Sequence, residues 1–155
     1  MSLPSGYSIR ELKASDHTNG ILDVLSGLTT VGTVTANAFE SIFKQWSTLK
    51  LSNGSNVYNP LVIVDSNGKV VATGMVFIEE KLIHSGGLVG HIEDIAVDSS
   101  QQGKSLGKFL IKELSLIAKR SGAYKVILDC SESNVKFYEK CGYKEAGVEM
   151  QIRYD

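Results

Sequence analysis

Apolar residues recur along this chain with two different periods. Tyr7 to Leu12 reads as a short strand. Ser15 or Asp16 is placed to cap a following helix with Ile21, Leu25 and Leu28 on one face. A polar break, Thr29-Thr30-Val31-Gly32-Thr33, precedes a second helix. Thr35 suits its N-cap, and Phe39, Ile42, Phe43, Trp46 and Leu49 repeat at helical spacing as a core-packing stripe. The pattern then shortens. Asn59 to Asp65, Val70 to Glu79 and Val89 to Val97 read as strands. Ser66-Asn67-Gly68-Lys69 is a hairpin turn in which Asn-Gly tolerates positive φ at both central positions. Leu106, Phe109, Leu110, Leu114, Ile117 and Ala118 form a helical stripe that ends near Gly122. Tyr124 to Asp129 is strand again. Asn134 to Cys141 is a short helix closed by Gly142, and Val148, Met150 and Ile152 alternate as in a strand with one buried face. The order βαα, β meander, βαβαβ predicts an α/β (α+β) domain, with helices packed on a mixed, mostly antiparallel sheet.

Size and charge narrow the options. The 155 residues suit one domain spanning 1–155. Sixteen basic against seventeen acidic residues leave a formal charge of −1, which argues against nucleic acid or membrane as an electrostatic partner. No apolar run approaches the roughly 20 residues that cross a bilayer. The first residues lack the basic start and apolar stretch of a signal peptide, so the expected address is the cytosol. Cys130 and Cys141 supply neither a disulfide framework nor a metal-binding pair, and read as reduced, buried, small apolar residues. No metal is expected.

The chemistry concentrates in Ile92-Glu93-Asp94-Ile95-Ala96-Val97-Asp98-Ser99-Ser100-Gln101-Gln102-Gly103-Lys104-Ser105-Leu106-Gly107-Lys108. This is a strand, a small-residue loop and the start of an amphipathic helix. The first amides of a helix have no internal partners and lie at the positive end of its dipole. Gly103 and Gly107 let a phosphate approach them, while Lys104 and Lys108 add charge. The spacing fits neither GxxxxGK[ST] nor GxGxxG.

That stretch, followed by Ile127-Leu128-Asp129 and Asn134-Val135-Lys136-Phe137-Tyr138-Glu139-Lys140-Cys141-Gly142-Tyr143, resembles the Gcn5-related N-acetyltransferase (GNAT) superfamily. The superfamily pattern Gln/Arg-x-x-Gly-x-Gly/Ala is met at Gln102 and Gly107, whereas Ser105 replaces its middle glycine. Within the superfamily, Leu28-Thr29-Thr30-Val31-Gly32, Lys81-Leu82-Ile83-His84, Gly90-His91-Ile92-Glu93-Asp94-Ile95, Tyr124-Lys125-Val126-Ile127-Leu128-Asp129-Cys130 and Gly147-Val148-Glu149-Met150-Gln151-Ile152-Arg153 resemble the fungal-type glucosamine-6-phosphate N-acetyltransferases. The resemblance implies the acyl-CoA N-acyltransferase fold. It also implies acetyl transfer from acetyl-CoA to the amine of a phosphosugar, on the way to UDP-N-acetylglucosamine. For the coenzyme it implies Ile95, Ala96, Val97, Gly103, Lys104, Ser105, Leu106, Gly107, Lys108, Tyr138, Glu139 and Lys140. For the sugar it implies Thr29, Lys81, Leu82, Ile83, His84, Glu93, Asp94, Ile95, Tyr124, Lys125, Asp129 and Arg153. It further implies a two-fold homodimer whose sites hold residues of both subunits.

Acyl transfer from a thioester needs a neutral amine, a stabilised carbonyl oxygen and a leaving thiolate, but no covalent intermediate on the protein. Tyr138 is the expected acid for the thiolate, and Asp94 or Asp129 the candidate to orient the amine and take its proton. Neighbouring residues on a strand face opposite ways, so Glu93 and Asp94 reach one substrate together only if a bulge intervenes. Lys81, His84, Lys125 and Arg153 are candidate partners for the sugar's phosphate. Two other readings share the loop: acetylation of a polyamine or peptide, and a non-catalytic acyl-CoA-binding module.

Overall fold

The computed structural model describes residues 2–155. Five strands, β1 (Ser8–Glu11), β2 (Tyr58–Val64), β3 (Val70–Glu80), β4 (Leu88–Val97) and β5 (Ala123–Ile127), form one sheet in sequence order. The first three pairings are antiparallel and β4–β5 is parallel. Helix α4 (Leu106–Arg120) is the crossover between the parallel pair. Leu106, Leu110, Ile111, Leu114 and Ala118 pack its buried stripe against Ile63, Val76, Ile78 and Ile92. Helices α1 (Ile21–Ser26) and α2 (Ala36–Thr48) belong to the opposite layer, where Ile21, Val24 and Phe39 meet Val62, Val64, Val70 and Ala96. The run Leu61-Val62-Ile63-Val64 is therefore continuous, not alternating, because both of its faces are covered.

Two features of β4 shape the site. Its pairing with β5 runs only from Leu88 to His91, so the two strands part beyond that point. On the β3 side, Thr73 pairs with Ala96 and Met75 with Glu93, leaving Gly74 opposite both Asp94 and Ile95. This is a bulge, with Asp94 at φ 53°. A Cβ on residue 74 would lie 2.4 Å from Ile95 Cδ1, so the bulge requires glycine across from it.

Several expected elements differ. The expected cap, Asp16, sits in a 3-10 turn, Ala14–Thr18, and α1 starts after left-handed Gly20. Asp16 is instead fully buried, accepting two 2.7 Å hydrogen bonds from Arg10 and one at 2.8 Å from the Lys13 amide. Leu28 lies beyond α1 and is exposed, as are Ile42 and Leu49 of the aromatic stripe. Thr35 does cap α2, its hydroxyl accepting from the Ala38 amide. The hairpin has a three-residue loop between Asp65 and Lys69, in which Gly68 but not Asn67 has positive φ. The Asp65 carboxylate, accepting from the amides of Asn67 and Lys69, supports that longer loop. The short C-terminal helix, α5, is confined to Val135–Glu139, and Gly142 does turn left-handed after it. Cys130 is exposed, whereas Cys141 is half-buried and packs against the core. No strand forms from Val148 to Ile152; Val148, Met150, Ile152 and Tyr154 are 76–93% exposed.

Burial pushes the Asp16 carboxyl up, but the hydrogen bonds and charge of Arg10 and the Lys13 amide outweigh it and hold the group below the usual carboxylate range. Its stabilisation is therefore complete above the unfolded value of about 4 and is lost as pH falls through the lowered folded value. Asp16→Asn should cost about 3 kcal/mol at pH 7, read as a lower denaturant midpoint, and should flatten the fall in stability in acid. An unchanged midpoint would show that the pair contributes nothing.

Candidate active site

Where β4 and β5 part, a cleft of about 320 Å³ opens, lined by Glu93, Asp94, Ile95, Asp129 and Tyr138. The bulge is what brings the adjacent carboxylates Glu93 and Asp94 to one cavity. Burial, then the charges of Asp94 and Asp129, push the Glu93 carboxyl up, while His91 opposes the shift only in part. Burial likewise raises the Tyr138 phenol, with further contributions from Cys130, Cys141 and Tyr143. Tyr138 is thus a neutral donor at physiological pH, and Glu93 holds a proton more readily than an ordinary glutamate. Tyr143 hydrogen-bonds Ser115 at 2.6 Å and packs against the core, as expected of a structural residue.

The loop after β4 carries no strand or α-helix until Leu106. Asp98 caps a short turn at Ser99–Gln101, accepting from the Ser100 amide. Gly103 and Ser105 are both left-handed, at φ 80° and 61°. Serine thus takes a left-handed torsion at the position where the GNAT pattern has glycine. Its side chain makes no cap hydrogen bond to the first turn of α4. Alternation of such torsions turns successive amides toward one concavity, a geometry suited to anions. A Cβ at Gly103 would meet nothing within 4 Å and project into open space. Valine there should therefore weaken coenzyme A binding about tenfold or more, by torsional strain and by blocking backbone approach. Calorimetric titration with coenzyme A checks this, and normal affinity would place the pyrophosphate elsewhere.

Of the remaining expected sugar residues, Thr29 follows Leu28 of the cleft lining, and six lie at the other end of the sheet. Lys81, Leu82, Ile83 and His84 lead into a single distorted turn, α3 (Ile83–Gly86), in which His84 and Ser85 have positive φ. The His84 ring lies 4.2 Å from the ring of Tyr124, tilted by 34°, and Lys125 extends over the same ring. Lys81 is paired with Glu79 at 2.7 Å, and Glu79 also holds His91 at 2.8 Å. Leu88, at this end, lies six residues before Asp94 on β4, about 20 Å along an extended strand. Arg153 is in neither group; it is exposed and paired with Asp155 at 3.0 Å. Glu139 and Lys140 end α5, beside Tyr138. Ala96 is buried.

Residues 25–143 match the acetyltransferase (GNAT) family. The chain belongs to that family. Glucosamine 6-phosphate N-acetyltransferase of Candida albicans is 51% identical over 99% of this chain and 100% of its own. The crystal structure of glucosamine-6-phosphate N-acetyltransferase from Arabidopsis thaliana superposes with a TM-score of 0.89 at 41% identity, over 96% of this chain and 99% of that one. A Trypanosoma brucei acetyltransferase superposes with a TM-score of 0.85 at 32% identity, over 96% and 99%. In this GNAT chain the strand split, the bulge and the left-handed turn before α4 are thus parts of one acyltransferase fold.

Leu28, Cys130, Ser131 and Asn134 also line the cleft, and none of them is among the expected coenzyme or sugar residues. Leu28 carries a signal in the sequence as the neighbour of the expected sugar residue Thr29. Cys130, Ser131 and Asn134 lie on the connection after β5, whose course nothing in a local pattern specifies. Among the described residues no group of three or more His, Cys, Asp or Glu side chains is placed to hold a metal, and no helix is long and apolar enough to cross a membrane.

Proposed function

We propose that this protein transfers the acetyl group of acetyl-CoA to the 2-amino group of glucosamine 6-phosphate. Transfer is direct, giving N-acetylglucosamine 6-phosphate and coenzyme A for UDP-N-acetylglucosamine synthesis. The observation that carries the reading is the gathering of Glu93, Asp94, Asp129 and Tyr138 at one cleft beside the strand split. The 51% identity to a relative of that activity supports the acceptor. In the presence of acetyl-CoA, free thiol should appear at a rate that depends on glucosamine 6-phosphate. No such release by folded protein overturns the assignment, and faster release with a polyamine or peptide amine replaces the acceptor.

The amides from Gly103 to Lys108 hold the pyrophosphate, and the exposed edge of β4 from Ile95 to Val97 receives the arm that leads to the thioester. Tyr138 donates its proton to the departing sulfur. Glu93 accepts the proton from the attacking amine, a task the sequence left to Asp94 or Asp129. Its raised basicity favours it, and Asp94 and Asp129 then anchor the amine and neighbouring hydroxyls. A base must be ionised, so kcat/KM should fall as pH drops through the raised Glu93 value. Glu93→Gln should remove that acidic limb; a limb that persists would assign the base elsewhere.

The reading includes a homodimer with shared sites. Lys81, His84, Tyr124 and Lys125 lie too far from Asp94 for one phosphorylated hexose to touch both sets in a single chain. A second subunit related by a two-fold axis supplies the missing set. Two features support this: among the described residues β5 has no neighbour on its outer edge, and the alternating tail Val148, Met150, Ile152 and Tyr154 finds no cover. Arg153, on that tail, then reaches the acceptor's phosphate across the interface. Two unpaired cysteines support a cytosolic setting.

A further inference from the structure

We infer that Tyr7 is a positioning residue that holds Lys104, with its charge intact, beside the anion-binding turn of residues 103–108. The inference rests on the proposed coenzyme role of that turn. Tyr7 lies in the segment just before β1, and its ring packs against the α4 side of the core. Its hydroxyl donates to Gln101 Oε1 at 2.5 Å and accepts from Lys104 Nζ at 2.7 Å. Lys104 Nζ also donates to Gln101 Oε1 at 2.7 Å and lies 5.4 Å from the centre of the Tyr7 ring. Gln101 is tied back through Ser100 to the Asp98 cap. A chain of hydrogen bonds thus spans more than ninety residues of sequence and ends on the loop.

The chemistry of the partners gives the arrangement its meaning. Lys81 and Arg153 are each matched by a carboxylate. Lys104 is held by a phenol oxygen, an amide oxygen and a ring face, all neutral. Its position is fixed while its positive charge stays available to a phosphate. Its backbone stands between Gly103 and Ser105, the two left-handed residues, so fixing the ammonium also steadies the turn. Ordering completed before the ligand arrives is not charged against binding.

Tyr7→Phe keeps the ring and removes only the hydroxyl. It should raise the KM for acetyl-CoA about fivefold, the scale of one lost hydrogen bond. The kcat, the KM for glucosamine 6-phosphate and the thermal midpoint should not change, and the effect should shrink as salt rises. In a Lys104→Met background the same substitution should have no further effect. An unchanged coenzyme KM, or a rise undiminished in that background, overturns the role of Tyr7. Normal coenzyme A affinity in Gly103→Val would sink the loop reading itself. Impaired Gly103→Val beside an unaffected Tyr7→Phe would sink the inference alone.

Discussion

Tyr138→Phe should lower kcat about 100-fold or more while leaving the KM for acetyl-CoA within about twofold. The phenol lines the cleft beside Asp129, Cys130 and Asn134, and burial keeps it protonated. Losing the hydroxyl removes the proton for the leaving sulfur, a contribution made as the carbon–sulfur bond breaks and not when the coenzyme docks. The ring that packs between Phe137 and Tyr143 is preserved in phenylalanine, so folding should be unaffected. Steady-state kinetics with a thiol readout separates the two constants. A kcat within about threefold of the parent would remove Tyr138 from the mechanism.

A second large effect is expected from mixing two inactive proteins. Tyr138→Phe damages the cleft, and Lys125→Glu damages the opposite end of the sheet by reversing charge in the proposed phosphate set. Each homodimer should be nearly silent. After refolding together, half of the dimers should be mixed. If every site takes its cleft from one chain and Lys125 from the other, each mixed dimer has one doubly damaged site and one intact site. The mixture should therefore recover about a quarter of parent activity. Activity no greater than the average of the two homodimers would mean that each site is built from a single chain. The shared-site reading would then fail, while the acetyl transfer itself could still be tested by thiol release.

These predictions draw on information of different origins. The strands from Tyr58 to Val97 and the long helix α4 are legible because periodicity in side-chain burial is a local consequence of packing on a covered face. The loop chemistry around Gly103 is legible because orphan helix amides and flexible backbone are properties of a short stretch. The failures are equally physical. The role of Asp16 as a buried partner of Arg10 depends on where β1 lies, not on the residues beside Asp16. The exposure of Leu28 and Cys130 depends on the opening between β4 and β5.

The tail is the most instructive case. Alternation of Val148, Met150 and Ile152 predicts a strand with one buried face, but no strand forms and all three are exposed. Local pattern records a side chain's requirement for burial, not which surface meets it. The amino-acid sequence thus determined the order of the five strands and of the main helices up to α5, and the left-handed glycine in the turn before α4. Tertiary structure alone decided that Glu93 and Asp94 face one cleft, because that follows from a bulge opposite Gly74. It alone placed Lys81 and Lys125 far from that cleft, because distance along a strand is invisible until the strands are paired.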